Sequence, residues 1–487
     1  MYYNRDIDGN EKDKNMKKTY RTESDSIGEL QVERDAYYGV QTLRAKRNFS
    51  ITDSKMNFTF VKNIVLIKKA AALVNGVYGI LDQARAEAIV SACDEVLAGK
   101  HRKEFVVDAV QGGAGTSANM NVNEVIANLA AVKLGGKPGD YARVHPNDHV
   151  NMEQSTNDVI PTAGKLTVIV LSRALLSELR RLERALKKKA EDFNGILKMG
   201  RTQLQDAVPM RMGQAFHAFA TAIGRDIGRI ERSLSEMHVV NMGATAIGTA
   251  ITARREYFEH ITEKLSELFG EKLARAEDLF DGTQNVDCFV AVSGALKALA
   301  VNLSKMSNDL RLMASGPRTG LGELQLPAMQ NGSSIMPGKV NPVIPEVVNQ
   351  VAFLVMGHDV TITLAAEAGQ LELNAFEPVI FYQLFESVRA LTGAVHTLVG
   401  NCIDGIAVSR ERCEEWVNRS VGIVTALNPY IGYKKAAEIA KESLKTGESV
   451  RNIVLREGLM EESLLNEVLD PFALTQPLGA HGVITIK

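Results

Sequence analysis

Between Pro209 and Pro317 the chain has no proline at all. An interval that long without a helix breaker leaves room for very long helices. Cysteine is also scarce. Cys93, Cys288, Cys402 and Cys413 sit far apart with no C-x-x-C pair. That spacing excludes a disulfide framework or a zinc set and predicts small buried residues in a reducing compartment. Strong net charge is missing too: the formal value is −2 over 487 residues. Without a basic surplus there is no electrostatic footprint for nucleic acid or a membrane surface. The N-terminal "MYYNRDIDGNEKDKNMKK" has no apolar h-region, so residues 1–20 read as a solvated polar extension and not a signal peptide. No apolar run reads as long and charge-free enough to span a bilayer. The expectation is a soluble cytoplasmic protein.

Helical spacing fills the proline-free interval. In "QAFHAFATAIGRDIGRIERSLSEM" and "VAVSGALKALAVNLSKMSNDLRLMASG" apolar residues recur three and four apart, with charges on the other face. "AGKLTVIVLSRALLSELRRLERALKKKAEDFNGILK" has the same character. The segment after Pro345 carries too many apolar positions for one stripe. A helix that is apolar nearly all round is covered on every side, by its own domain or by other subunits. The fold class is therefore mainly α, with a central bundle of long helices over residues 156–411, also the expected oligomer core. Smaller, mostly helical domains are expected at residues 1–155 and 412–487. Short strands are expected near "SIGELQV" and the tail "GVITI", without βαβ alternation.

Prolines and glycines gather at four loops: "QGGAGTSANMN", "HPNDHVNMEQSTNDVIPT", "MGRTQLQDAVP" and "NGSSIMPGKVNPVIPE". Generic motifs fail there. Five residues separate Gly332 from Gly338-Lys339 where a phosphate loop has four, and Val340 stands where Ser or Thr would hold magnesium. The G-x-G-x-x-A within "GGAGTSA" has no strand–helix–strand unit around it. His145 and His149 have metal-ligand spacing, but the Pro146-Asn147-Asp148 between them favours a turn. No G-x-S-x-G elbow is present.

What the loops share is short hydroxyl and amide side chains. Thr116, Ser117 and Asn119 come from the first, and Ser155, Thr156 and Asn157 from the second. Thr202 and Gln203 come from the third, and Ser333, Ser334, Lys339 and Asn341 from the fourth. Each set alone reads as helix caps and turn formers. Together, neutral donors plus one cation suit a small dianion in a water-excluded site.

"GSSIMPGKVNP" resembles the signature loop of the fumarase/aspartase superfamily. "GAGTSANMNVNE", "STNDVIPT" and "GRTQLQDAVP" are similar to the family's other blocks, in the same order. The resemblance covers essentially the whole chain after the extension. It implies elimination across the C2–C3 bond of a succinyl-type substrate, releasing fumarate through an aci-carboxylate. By the same resemblance Ser333 is the general base, and Lys339 and Asn341 clamp the α-carboxylate. Thr116, Ser155, Thr156 and Ser334 cradle the β-carboxylate, and Asn157, Thr202 and Gln203 surround the leaving group. Met336 would pack on the loop and substrate, or alternatively in the core.

Within the family, a class II fumarate hydratase has histidine where this chain has Gln203. A neutral amide cannot take a proton from water, but its carbonyl can accept from an ammonium. "STND" and "AAEAGQLELN" also resemble the ammonia-lyase branch. The resemblance thus implies reversible deamination of L-aspartate, with the hydratase as the alternative and a non-catalytic structural member as a remote one. It implies a homotetramer with each site built from loops of three subunits, and no organic cofactor. Divalent-metal activation is known for some members and is left open here. One position departs from the pattern: Glu153 stands where a small polar residue is expected. It would either face solvent or an interface, or point inward and repel a dicarboxylate.

Overall fold

The computed structural model describes residues 19–476. Residues 1–18 of the polar extension and the "GVITI" tail lie outside that range. The chain is mainly helical, as the periodicity predicts. Its main elements begin with β1 (Tyr20–Asp25), β2 (Gly28–Glu33), α1 (Val40–Asn48), α2 (Phe58–Val77), α3 (Gln83–Leu97), α4 (Thr116–Lys133) and α5 (Thr156–Asp192). They continue with β3 (Leu197–Thr202), β4 (Gln205–Arg211), α6 (Met212–Ser235), α7 (Arg255–Phe269) and the single turn α8 (Asp281–Gln284). The long helices α9 (Asp287–Met313), α10 (Val343–Glu367) and α11 (Glu377–Asn401) follow. Two compact units result. The first comprises the chain up to Thr167, Met237–Asp287 and Leu364–Tyr382; the second comprises Val168–Glu236, Cys288–Thr363 and the chain from Gln383 on.

In the first unit, β1 and β2 pair antiparallel with Tyr20 opposite Glu33 and Asp25 opposite Gly28. Asp25 Oδ1 accepts from the N–H of Ile27 (2.9 Å) and Gly28 (3.1 Å), closing the turn with its own side chain. The strand expected near "SIGELQV" therefore starts at Gly28, because Ser26 and Ile27 form the turn. Helices α2 and α3 carry side-chain caps at Asn57 and Asp82. Helix α1 has no side-chain cap of its own. Glu124 of α4 serves it, accepting from the N–H groups of Gly39, Gln41 and Thr42 and from the Thr42 hydroxyl at 2.6–3.1 Å. Burial pushes Glu124 up to about 7, and these donors act against that rise.

Glu377, the first residue of α11, is 1% exposed, and among the described residues neither carboxylate oxygen has a hydrogen-bond partner. Burial raises it to about 8, opposed by the charge of Lys165. An unfolded carboxyl titrates near ~4.3. Between those two values the unfolded chain releases a proton that the folded chain retains. Stability therefore falls as pH rises through this window, and the deficit is complete above it. Glu377→Gln cannot ionise and should lose that dependence. Melting temperatures of both proteins at pH 5 and pH 8.5, at one protein concentration, check this. The variant should gain on the wild type as pH rises, and parallel curves would contradict the assignment.

In the second unit, the rest of α5 buries Leu175, Leu179, Leu182 and Leu186, and α6 buries Phe216, Ile223 and Ile230. Each such side chain contributes about 1.5–3 kcal/mol by leaving water. Buried polar residues are bonded between helices: Asn302 Nδ2 donates to both Asp226 oxygens (3.0 and 2.8 Å), and Asn349 Nδ2 to Ser304 Oγ (2.9 Å). Near the C-terminus Leu427, Ile439, Ile453, Val454 and Leu465 form a small core of their own. All four cysteines are buried.

Three helices, α5, α9 and α10, meet the length and hydropathy of a membrane span. The sequence reading excluded any such run. It demanded a charge-free segment, and these windows hold up to two charges each. Within the chain 78% of the α5 window is buried but only 33% of the α10 window.

Candidate active site

The first two loops meet in the first unit. Gly113, Ala114 and Gly115 all have positive φ (89°, 52° and 83°), which turns the chain sharply into α4 at Thr116. A Cβ on Gly115 would lie 2.7 Å from Ile160 Cγ2, so glycine is what lets this turn approach α5. Helix α5 opens with a reciprocal cap. Ser155 Oγ accepts from Asn157 N (3.2 Å), while Asp158 Oδ1 accepts from Ser155 N (3.0 Å). Thr156 Oγ1 accepts from Asn119 Nδ2 (3.2 Å), which joins the "GTSAN" loop to the "STND" loop. Asn157 Nδ2 is committed to Ala246 O (2.7 Å), leaving Oδ1 as an acceptor of the kind an ammonium requires.

Beneath this pair of loops lies a buried polar layer. Lys68 of α2 and Asp158 are both fully buried. Asp158 Oδ2 accepts from Gly243 N and Thr245 N, both at 3.2 Å. Burial lowers Lys68 and raises Asp158, and the charge of each opposes the other's shift. The sequence reading named neither residue. Both left a signal: Lys68 falls four residues after Ile64 on the apolar face of α2, and Asp158 stands three after Ser155, the capping-box spacing.

Glu153 is neither a solvent-facing carboxylate nor an unpaired one. Its side chain is 7% exposed, and Oε2 accepts from the backbone N–H of Arg254, the residue preceding α7. A carboxylate there serves a helix N-terminus.

His145 Nδ1 accepts from Asn147 N and Asp148 N (both 3.2 Å), and His149 Nδ1 from His145 N (2.8 Å), within a single wide helical turn over Pro146–Val150. Among the described residues no three His, Cys, Asp or Glu side chains gather as a metal set. A cavity of about 540 Å³ places His145 and Asn147 near Thr116, Ser117, Gln41 and Arg44. The guanidinium there is already paired with Asp25 at 2.8 and 3.0 Å.

The third and fourth loops belong to the second unit. β3 and β4 form a hairpin whose tip is Gln203-Leu204, with φ of 53° and 64°. Two successive positive φ values are the geometry of a tight two-residue hairpin turn, which usually recruits Asn-Gly. Non-glycine residues held there carry backbone strain of the kind that gathers at functional sites. Thr202 and Gln203 are exposed at this tip. Beside the tip, Arg201 donates to the fully buried Glu323 (2.7 Å).

The signature loop is pinned at its stem and open at its crest. Gly332 N donates to Lys339 O and Asn341 Nδ2 to Gly332 O, each at 2.8 Å. A Cβ on Gly332 would sit 2.7 Å from Lys339 O, and Gly338 has φ +80°, so each glycine has its own reason. Ser333 Oγ accepts from Ile335 N (3.2 Å) and Met336 N (3.0 Å). Ser334, Met336 and Lys339 are exposed within the chain, so the core alternative for Met336 does not apply.

Comparisons with known proteins bear on the family and the fold. Residues 28–357 match the family described as Lyase, and residues 423–476 match Fumarase C C-terminus. An aspartate ammonia-lyase of a Bacillus species is 50% identical over 462 residues, covering 95% of this chain and 99% of that protein. The aspartate ammonia-lyase of Escherichia coli K12 is 48% identical over 465 residues, covering 95% and 97%. A cobalt-bound structure from Brucella melitensis described as fumarate lyase:delta crystallin superposes with a TM-score of 0.91 at 48% identity, over 94% of this chain and all of that one. A class II fumarase from Schistosoma mansoni gives 0.91 at 33% identity, with the same coverage. By sequence, by its four loops in order and by its fold, the chain belongs to the aspartate ammonia-lyase family of the fumarase/aspartase superfamily.

Proposed function

We propose that the protein is a carbon–nitrogen lyase that deaminates L-aspartate reversibly to fumarate and ammonia, with Ser333 as the general base. The observation that carries this reading is Ser333 Oγ, which accepts two backbone N–H groups. Donors aimed at a hydroxyl oxygen favour its ionised form. A serine needs such help, because its free hydroxyl is far too weak an acid to serve as an alkoxide. Ser333 removes a proton from C3, and the electron pair moves into the adjacent β-carboxylate. The aci-carboxylate so formed gathers two negative charges, and Thr116, Ser155, Thr156 and Ser334 donate to it. When it collapses, the C2–N bond breaks with its pair going to nitrogen. The ammonium group leaves as neutral ammonia and needs no acid.

Lys339 and Asn341 hold the α-carboxylate, with Met336 packing over the substrate. The oxygens of Asn157 and Gln203 and the Thr202 hydroxyl receive the amino group. No organic cofactor enters the scheme, because the substrate's own carboxylate is the electron sink. The crest of the loop is exposed in the single chain, and a dry site needs it covered. We infer a homotetramer in which neighbouring subunits supply the cover and share each site. The uncovered apolar surface of α10 supports this, with Phe353, Leu354, Val360 and Leu364 each 55–62% exposed. The buried cysteines fit a cytoplasmic setting.

The likeness to a fumarase at 33% identity makes hydration of fumarate the competing reading. Purified protein offered L-aspartate or L-malate separately, with fumarate followed by absorbance, decides between them. Fumarate is expected from aspartate alone. Release from malate alone would overturn the reading of Gln203.

A further inference from the structure

Arg201 has no part in the scheme above, yet it stands two residues before Gln203. Residues 202–206 are all exposed, so burial does not hold the hairpin tip in place. Arg201 turns the other way. Its side chain is 15% exposed, and Nη1 donates to Glu323 Oε1 at 2.7 Å. Glu323 is a fixed point. It is 0% exposed, its N–H donates to Met313 O at the end of α9 (2.8 Å), and its carbonyl accepts from Ser409 N (2.9 Å). Ser409 in turn opens the helix Arg410–Arg419. One ion pair thus ties the tip to a residue that two helices hold.

Two cations meet that carboxylate. Lys198 Nζ lies 3.5 Å from Glu323 Oε2. Residues three apart on a flat strand face opposite sides. Here the pairing steps from Met199–Pro209 to Arg201–Asp206, two residues of β3 against three of β4. A bulge of this kind sharpens the local twist, and both cations reach one carboxylate. Their duties differ. Lys198 lies deeper, at 7% exposed, and also donates to Met199 O at 2.9 Å. Burial lowers its pKa, the Glu323 charge opposes that shift, and the Arg201 charge adds to it. Without Arg201 the lysine would hold its proton more firmly, and one ammonium balances one buried carboxylate. Charge alone therefore does not require Arg201. What Arg201 adds is the link next to the tip. Gln203 and Leu204 both have positive φ, and such strain in non-glycine residues persists only where the surroundings enforce it.

We propose that Arg201 is a positioning residue: by tying the strained hairpin tip to Glu323, it holds the Gln203 carboxamide where the substrate's amino group is received. This rests on the reading of Gln203 as part of the amino-group pocket. The test runs the assembled enzyme in both directions. Arg201→Met keeps the stem, removes the tether and leaves Lys198 to balance Glu323. In the amination of fumarate it should raise KM for ammonia by about 10-fold and leave KM for fumarate within about 2-fold. With L-aspartate it should lower kcat/KM by about 10-fold, and by less than about 3-fold in a Gln203→Ala background, where no carboxamide remains to place. Thr116 belongs to the β-carboxylate cradle, so with Thr116→Val the loss should be undiminished. A general loosening would instead raise both KM values alike, or couple Arg201 to Thr116 as strongly as to Gln203, and either result overturns the proposal. So does a wild-type KM for ammonia in Arg201→Met, or an equal loss with and without the Gln203 carboxamide. Should Arg201→Met not fold, Arg201→Gln is too short to reach Glu323 and breaks the same link, and the same outcomes apply to it. A wild-type protein that forms no fumarate from aspartate fails the parent reading, and Gln203→Ala with an unchanged KM for ammonia removes Gln203 from the pocket; the proposal falls with either.

Discussion

Ser333→Ala is expected to lower kcat for fumarate release from L-aspartate by about 10²- to 10⁴-fold, the range for losing a positioned acid or base. KM should stay within about 3-fold, because the base acts on a proton that moves only in the transition state. The reason to expect a clean result lies in the loop. Ser333 Oγ accepts the N–H groups of Ile335 and Met336, and both residues are exposed. Water can take over those two donors, so the truncation costs little stability. The stem does not involve the side chain at all. It is held by Gly332 N to Lys339 O and by Asn341 Nδ2 to Gly332 O. Melting temperature and assembly state should therefore match the wild type, and steady-state kinetics on the same preparation isolates the chemistry. A variant keeping more than a tenth of wild-type kcat would leave the family assignment intact and remove Ser333 as the base.

The four loops could be found in the sequence because their residue types are odd for the places they occupy. Lys339 and Asn341 serve no helix cap, and "GGAG" has more glycine than a turn needs. The long helices were equally visible, since α6 and α9 repeat apolar residues three and four apart across a stretch without proline. The β3–β4 hairpin was not visible. Its tip is Gln203-Leu204, and a two-residue hairpin usually announces itself with Asn-Gly or Asp-Gly. Here tertiary surroundings override local preference, and nothing in "RTQLQD" signals it. Glu153 misled for the same kind of reason: its partner, the N–H of Arg254, is 101 residues away. Lys68 was passed over because a lysine on an apolar helix ordinarily extends to water. Only the fold shows that its ammonium ends on Asn151 and Gln154.

Mixing two inactive variants should restore activity. Thr156 belongs to the first compact unit and Ser333 to the second. If each site takes these loops from different subunits, Ser333→Ala and Thr156→Val damage separable parts of it. In hybrid assemblies some sites then receive an intact Ser333 loop from one chain and an intact Thr156 loop from another. Random reassortment of equal amounts gives an intact pair at about a quarter of the sites, so about a quarter of wild-type activity should return. Each variant alone should remain at least about 10²-fold down. A site confined to one chain gives no recovery, because every chain then carries a defect in its own site. The apolar surface of α10 gives a reason for subunits to associate. Phe353, Gly357, Val360 and Leu364 fall at intervals of four, three and four, which places them on one face. The three large residues are 58–62% exposed, and a Cβ on Gly357 would meet nothing within 4 Å. A stripe of that kind, with a glycine inside it, lets another helix come close. Subunits held through it must be separated by mild denaturant and allowed to reassemble together before assay. Recovery after joint refolding, and none after simple mixing of preformed oligomers, would place the two loops of a working site on different chains.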